Sequence, residues 1–322
     1  MASLADLPIV TADSPLRRAA PGIAMAVAVL AVSSSAPVVV LANADGDVPA
    51  LAVAFWRNAL AVVLLVPIAL VWRRAELRAL SRAGLRRCTV AGVALAVHFA
   101  TWVPSAVLTD VATATALVST TPLWTALFAV VRGHRLPRAT WIGIGAAVAG
   151  AALATGAGFT VSPTAVLGDV LALIGGIAAA VYVTAGQRAR EELSTVGYTA
   201  IVYTVAAVGL LVVCLVSGAE LWGYAAAGWA ALAALTVGPQ LLGHSLVNFA
   251  LHGIDATAVS LLLLLEVPGA ALLGFLLLDQ TPPTVAVPGI ALLIAGVAVA
   301  LVGGRRAAAR GRTAAAVGAR EG

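Results

Sequence analysis

Lysine is absent from the 322 residues, and all 19 positive charges are arginines. Charged residues of both signs make up only 10% of the chain, against roughly 25% in soluble domains. That is too little charge to cover a water-facing surface, which excludes a soluble enzyme and a charge-rich disordered protein. Cysteine is nearly missing as well. Cys88 and Cys214 sit in or beside apolar stretches, where they read as small packing residues rather than a secreted disulfide framework or a metal site. Aromatics are scarce at 5%, and no basic face interleaved with them accompanies the net charge of +5, so nucleic acid is not the expected partner. What is abundant is apolar: 61% of residues are hydrophobic and the mean hydropathy is +1.04.

Ten apolar stretches are long enough to cross a bilayer, which takes about 20 residues. They are 22–41, 50–72, 88–108, 111–131, 139–157, 166–187, 197–217, 227–250, 256–278 and 285–303. The expected fold class is an all-α membrane protein of ten transmembrane helices. The first stretch follows Arg17 and Arg18 and precedes Ala42-Asn43-Ala44, the outline of a cleavable signal peptide. Its run is longer than the roughly 7–15 residues of a signal core, so an uncleaved first helix is expected.

Arginine counts set the orientation. The N-terminus carries two, and the 73–87 loop six: Arg73, Arg74, Arg78, Arg82, Arg86 and Arg87. Arg132, Arg135 and Arg138 lie between spans four and five, Arg188 and Arg190 follow the sixth, and five arginines follow the tenth. With ten spans every arginine-bearing connection falls on one side, which makes both termini cytoplasmic.

An internal repeat supports the count. A shift of 146 residues superposes Gly22 on Gly168, His98 on His244, Pro122 on Pro268, Gly143 on Gly289 and Gly150 on Gly296. Five spans per copy is an odd number, so the second copy must be inverted. The charges agree, because the six-arginine loop corresponds to an arginine-free loop in the second copy. The expected organisation is a cytoplasmic segment 1–21, a first repeat 22–157, an outer connection 158–165, a second repeat 166–303 and a tail 304–322. The tail is rich in arginine, alanine and glycine and is expected to be disordered and drawn to the anionic inner leaflet. Inverted repeats are an architecture of secondary transporters, whose solute site lies near the midplane between the halves.

Ionisable groups inside spans cost about 2.5–3.5 kcal/mol at a helix centre on the insertion scale, so the few present are functional candidates. Glu266 lies mid-span in Leu265-Glu266-Val267-Pro268, where desolvation favours the protonated carboxyl. It could bind a solute amine or carry a coupling proton, or it could hold a neighbouring backbone carbonyl for packing. Pro122 and Pro268 break the fourth and ninth helices at matching places and free the carbonyls of Val118 and Leu264. Ser119, Thr120 and Thr121 stand beside the first break. Gln240, His244 and Asn248 fall on one helical face at a spacing of four, as do His98 and Trp102. Such stripes belong in a bundle interior or a wet cavity. A metal is not expected, since no second ligand lies three or four residues from either histidine.

Arg57 is about 10 Å along the second span at roughly 1.5 Å per residue, and Asp169 opens the sixth on the same outer side. The two could pair as an outer gate, although snorkelling of Arg57 to the interface is the favoured reading. Tyr182, Tyr198 and Tyr203 could wall a cavity, with Tyr198 better suited to an interfacial belt. Ala146, Gly150 and Ala154, and Gly296, Ala300 and Gly304, form small-residue stripes in the fifth and tenth helices. Packing within the chain is the default reading for these, and a homodimer contact the minority one.

Together these residues resemble a ten-span EamA-type member of the drug/metabolite transporter superfamily over about 22–303. The resemblance rests on Ala54-Phe55-Trp56-Arg57-Asn58, on His98-Phe99-Ala100-Thr101-Trp102 and on Gly168-Asp169. Gln240 to Asn248 and Leu265-Glu266-Val267-Pro268-Gly269 complete it. It implies a basket of helices around a central cavity, alternating access, and commonly export of amino acids or other small metabolites. It also implies no cofactor. Where many such units carry Gly-Glu after the fourth helix, this chain has Gly133-His134 and Asp279-Gln280. A first-helix Glu of small multidrug-resistance relatives is replaced by Ser33, Ser34 and Ser35. Basic residues of the sugar-phosphate branch are missing from the late helices, which disfavours phosphorylated solutes.

The expected function is a cytoplasmic-membrane exporter of a small uncharged or zwitterionic solute, with the proton as a candidate coupling ion. The alternatives are a structural or assembly protein of the membrane and a passive channel. An intramembrane enzyme is disfavoured because Gly243-His244-Ser245 sets neighbouring side chains about 100° apart on a helix, too divergent to pair nucleophile with base.

Overall fold

The computed structural model describes residues 15–44, 48–109, 111–155, 162–278, 284 and 286–321. The first fourteen residues, the middle of the 42–49 connection, the first half of the 158–165 connection and Asp279-Gln280 lie outside the described residues. Among the described residues the regular elements are helices, in the order the hydropathy dictates. The first span is two helices, α1 (Pro15–Ser33) and α2 (Ser35–Ala44). At the step between them the Ser33 hydroxyl donates to the Val29 carbonyl and the Ser34 hydroxyl to that of Ala31, so side chains satisfy carbonyls that the interrupted ladder leaves.

The second span is α3 (Ala50–Trp72), followed by the short α4 (Arg74–Ala79) and the third span α5 (Arg82–Leu108). The fourth is α6 (Val111–Val118) and α7 (Thr121–Val131), and the fifth is α8 (Arg138–Ala154). The second repeat begins with α9 (Pro163–Ala189) and α10 (Thr195–Ser217). Ser81, Ser162 and Ser194 cap α5, α9 and α10 by accepting from backbone N–H groups. Gly218, at φ 68°, closes α10 in the left-handed conformation. The eighth span is α11 (Ala226–Leu235), a π-helical stretch Thr236–His244 and α12 (Ser245–Ala250). Pro239 sits inside that stretch, and the wider coil is the local adjustment a proline in a helix calls for. The ninth span is α13 (Ala256–Leu263) and α14 (Glu266–Leu278), and the tenth is α15 (Ala286–Glu321).

Among the described residues nine of these spans are long and apolar enough to cross a membrane, and α8 at 17 residues is a shorter apolar helix. The helix of α15 runs on through the tail to Glu321 instead of ending at 303, and alanine and arginine are both strong helix formers.

The repeats interleave. α5 packs along α9 and α10, α3 along α10, and α1 against the π-helical stretch, α12 and α14. α8 and α15 form a separate seam with a second small core. In this seam a methyl on Gly143 would lie 2.6 Å from the Gly296 carbonyl oxygen, and one on Gly150 2.8 Å from that of Gly289. Only glycine allows backbones that close. Because Gly143 corresponds to Gly289 and Gly150 to Gly296, each contact maps onto the other under the repeat, as a two-fold axis between antiparallel helices requires. The stripes are thus intrachain. On α8 the buried row is Gly143, Ala147, Gly150 and Ala154, with Ala146 only half-buried.

Arginine-bearing connections gather at one end. Arg87 pairs with Glu192 at 2.6 Å, and Glu76 Oε1 accepts from the Ser194 N–H and hydroxyl at 2.6 and 2.9 Å. Arg132, Arg135, Arg188 and Arg305 surround the mouth of one large vestibule at the same end.

Candidate functional site: a cavity on the repeat axis

The fourth and ninth spans are broken where expected, and each break is repaired differently. In the first, Thr120 Oγ1 donates to the Leu117 carbonyl and Thr121 Oγ1 to the Val118 carbonyl, both at 2.7 Å. Thr121 also reaches the Gly176 carbonyl on α9 at 3.2 Å. In the second, the freed Leu264 carbonyl accepts from the Val267 backbone N–H at 3.1 Å. The freed Val118 carbonyl is served by a hydroxyl and the freed Leu264 carbonyl by the main chain, while the Leu117 carbonyl also accepts from the Thr120 N–H at 3.2 Å.

The two breaks face a cavity of about 130 Å³, the share of roughly four waters in bulk. Equivalent residues of the two repeats meet across it: Ser33 with Ala179, Ala36 with Tyr182, His98 with His244, Val118 with Leu264, and Thr121 with Val267. The cavity therefore lies on the pseudo-two-fold axis. His98 stacks parallel to Trp102, ring centroids 6.0 Å apart, and its Nδ1 lies 2.9 Å from the Gly175 carbonyl. His244 approaches Phe99 edge-on at 5.4 Å. Glu266, at the head of α14, shares the wall with the hydroxyls of Ser35, Ser119 and Ser260. The Ser119 hydroxyl is buried without a partner.

Of the residues singled out above, Glu266, His98, His244 and Trp102 line this cavity together. Gln240 and Asn248 do not. Both are fully buried, but the π-helical stretch turns the three polar residues of the eighth span toward different neighbours. Gln240 points at α3, accepting from Arg57 Nε and donating to Asn58 Oδ1, each at 3.0 Å. Asn248 stands one layer back, accepting from the Tyr182 hydroxyl at 2.9 Å. Pro122 and Pro268 shape the breaks without lining the space.

Arg57 neither snorkels nor pairs with Asp169. It is fully buried, with Nη1 on the Ser35 hydroxyl at 3.2 Å and its guanidinium carbon 4.4 Å from the centre of the Phe99 ring. Asp169 Oδ1 is buried without a partner. Tyr198, expected at an interface, is fully buried beneath Gly186. Tyr182, expected as a candidate cavity wall, does line the space, whereas Tyr203 does not; Phe99 reaches the wall through the choice of which helix faces which, and Ser33, Ser35 and Ser119 stand beside helix breaks.

Toward the arginine-bearing end lies a vestibule of about 1260 Å³ between α1, α7, α9, α13 and α15. Its rim brings Arg132 of the first repeat near Arg188 of the second. Partial burial, and then the charge of Arg188, hold the Arg132 pKa below the ordinary arginine value. A thin wall separates vestibule from cavity. Thr125, which lines the vestibule, and Ser260, which lines the cavity, share a hydrogen bond of 2.9 Å. At the opposite end Trp56, Trp222 and Trp229 cluster edge to face, with Trp56 Nε1 donating to the Leu221 carbonyl at 2.8 Å. Among the described residues no cluster of three or more His, Cys, Asp or Glu could hold a metal ion.

Two stretches of the chain, 20–156 and 166–302, each match the EamA-like transporter family. They coincide with the two repeats. A solved structure titled only as the crystal structure of a protein superposes with a TM-score of 0.74, covering 90% of this chain and 99% of that one at 21% identity. At that identity the likeness bears on the fold alone. No curated protein shows a significant match.

Proposed function

Since this chain belongs to the EamA-like transporter family, we propose that it carries a small amino-acid-like solute, uncharged or zwitterionic, out across the cytoplasmic membrane. Membership makes it a multi-pass membrane transporter of the drug/metabolite type; solute, direction and mechanism are the proposal. The observation that carries it is the cavity on the repeat axis, walled by both broken spans and by Glu266, His98 and His244. Unwound helix at a repeat interface is where secondary transporters place their solutes.

The proposed cycle is alternating access. In the conformation described, the wall between cavity and vestibule is the Thr125–Ser260 bond with leucines of α13 beside it. Rocking of the repeats would part that wall and admit solute from the arginine-bearing side, which arginine bias assigns to the cytoplasm. Glu266 would hold an amine or a coupling proton, with His98 and His244 closing around the rest. Gln240 and Asn248 would act by positioning Arg57 and Tyr182.

The test is efflux of labelled amino acids and small metabolites from liposomes holding the purified protein, with and without a pH gradient, against empty liposomes. Solute-selective release supports transport, and dependence on the gradient supports a proton in the cycle. Absence of selective release across the pool from folded protein would overturn the solute class proposed.

A further inference from the structure

Arg57 is a buried cation with only neutral company. Its neighbours are the Gln240 carbonyl oxygen, the Ser35 hydroxyl and the face of Phe99, and its Nη2 is buried with no partner at all. The one ion pair found among the described residues, Arg87–Glu192, lies far away at the arginine-bearing end. A charge held in a low-dielectric interior without an opposite charge is expensive, and a cation–π contact offsets only part of that cost. The site is nevertheless built. Gln240 is fixed by Asn58 and in turn orients the guanidinium. Two of the three groups around Arg57, Ser35 and Phe99, are also wall residues of the central cavity.

We infer that Arg57 is a recognition site for a small monoanionic group entering from the central cavity, taken up when the Phe99 ring and the Ser35 hydroxyl yield. This rests on reading the cavity as the solute site. The planar guanidinium suits a carboxylate by geometry, and the shared chemistry has two sources, the carboxylate of the solute itself or a free halide. If the solute supplies it, Glu266 and Arg57 become opposite poles of one site. The solute class then narrows from uncharged or zwitterionic to carboxylate-bearing.

The experiment follows thermal unfolding of the full chain in lipid nanodiscs while sodium acetate or sodium chloride replaces the bulky sulfonate isethionate at constant ionic strength. A ligand that binds only the folded state raises the midpoint with its concentration. The expected result is a saturable rise with acetate that is lost in Arg57→Gln. In Phe99→Leu, which thins the cover, the half-saturating concentration should fall severalfold. A response to acetate and not chloride identifies the solute's carboxylate as the source; an equal response to chloride identifies a free anion. Should Arg57→Gln not fold, the Phe99→Leu shift decides. No saturable rise in the wild type and Phe99→Leu, or a rise undiminished in Arg57→Gln, overturns the site. Efflux without an anion effect removes this site alone, whereas an anion effect without efflux leaves it standing and removes the transport reading.

Discussion

The two repeats share a backbone and divide the chemistry. Gly143 and Gly150, matched 146 residues later by Gly289 and Gly296, form the α8–α15 seam, and the paired histidines meet at the cavity. Elsewhere the pairs diverge. Thr120 stands where the second repeat has Glu266, Arg57 where it has Tyr203, and Trp102 where it has Asn248. Arg57 and Tyr203 even meet at the same residue, the first on the Gln240 side chain and the second on its carbonyl at 3.3 Å. Symmetry is kept where backbones must touch and only in part at the cavity, where His98 and His244 match while Trp102 and Glu266 have unlike counterparts. An asymmetric small molecule on a two-fold axis needs unlike groups on its two sides, whereas a seam between like helices needs like ones.

The sharpest break in this comparison lies at the seam. Gly143→Leu should remove most folded protein in size-exclusion profiles, since the added side chain meets backbone that cannot rotate away; overpacking of side chains alone costs about 1–3 kcal/mol. Gly145→Leu on the same helix, with open space beyond its Cα, should leave the profile unchanged. If both behave alike, the seam does not hold the halves together.

Next comes the unequal pair at the breaks. Glu266→Gln should lower solute efflux by about 10–100-fold, the equivalent of about 1.5–3 kcal/mol for a charged hydrogen bond. It should also flatten the dependence of transport on pH, because no titrating group replaces it. Thr120→Val at the equivalent place should stay within about twofold and keep the pH dependence. An unchanged pH profile in Glu266→Gln would refute the coupling role.

A smaller effect separates the two repairs. Thr121→Val leaves the Val118 carbonyl without its hydroxyl and should cost about 1–3 kcal/mol of stability, read as a lower unfolding midpoint. Val267→Thr should change little, because the Leu264 carbonyl already has a main-chain donor. The smallest effect is at the histidines. His98→Phe and His244→Phe should each weaken solute binding by about 2–10-fold, with His98→Phe the worse, since it also loses the Gly175 carbonyl. Equal or absent effects would mean that solute does not touch the pair.

Much of this is legible in the sequence. Hydropathy exposes the spans because lipid tolerates little else, and an inverted repeat with shared His, Pro and Gly leaves a register that survives divergence. The breaks at Pro122 and Pro268 follow from the missing N–H of proline. Less legible was the eighth span, where equal spacing of Gln240, His244 and Asn248 placed them on one face of an ideal helix. Pro239 stands in that span, outside the spacing argument, and a π-helical stretch around it sends the three side chains to α3, to the cavity and to α9.

The sequence by itself determined that the chain is a membrane protein, how many spans it offers, that its halves are inverted copies, and which few polar residues lie inside the bilayer. These follow from composition and period, which are local properties of the chain. Tertiary structure alone decided what those polar residues touch. Arg57 could snorkel by its depth in the second span, yet its partner Gln240 is 183 residues away, and Phe99 and Ser35 come from two further helices. In a bilayer every helix is apolar on most sides, so the pattern of one helix does not say which neighbour it will face. Packing of small residues against backbone makes that choice, and with it the site.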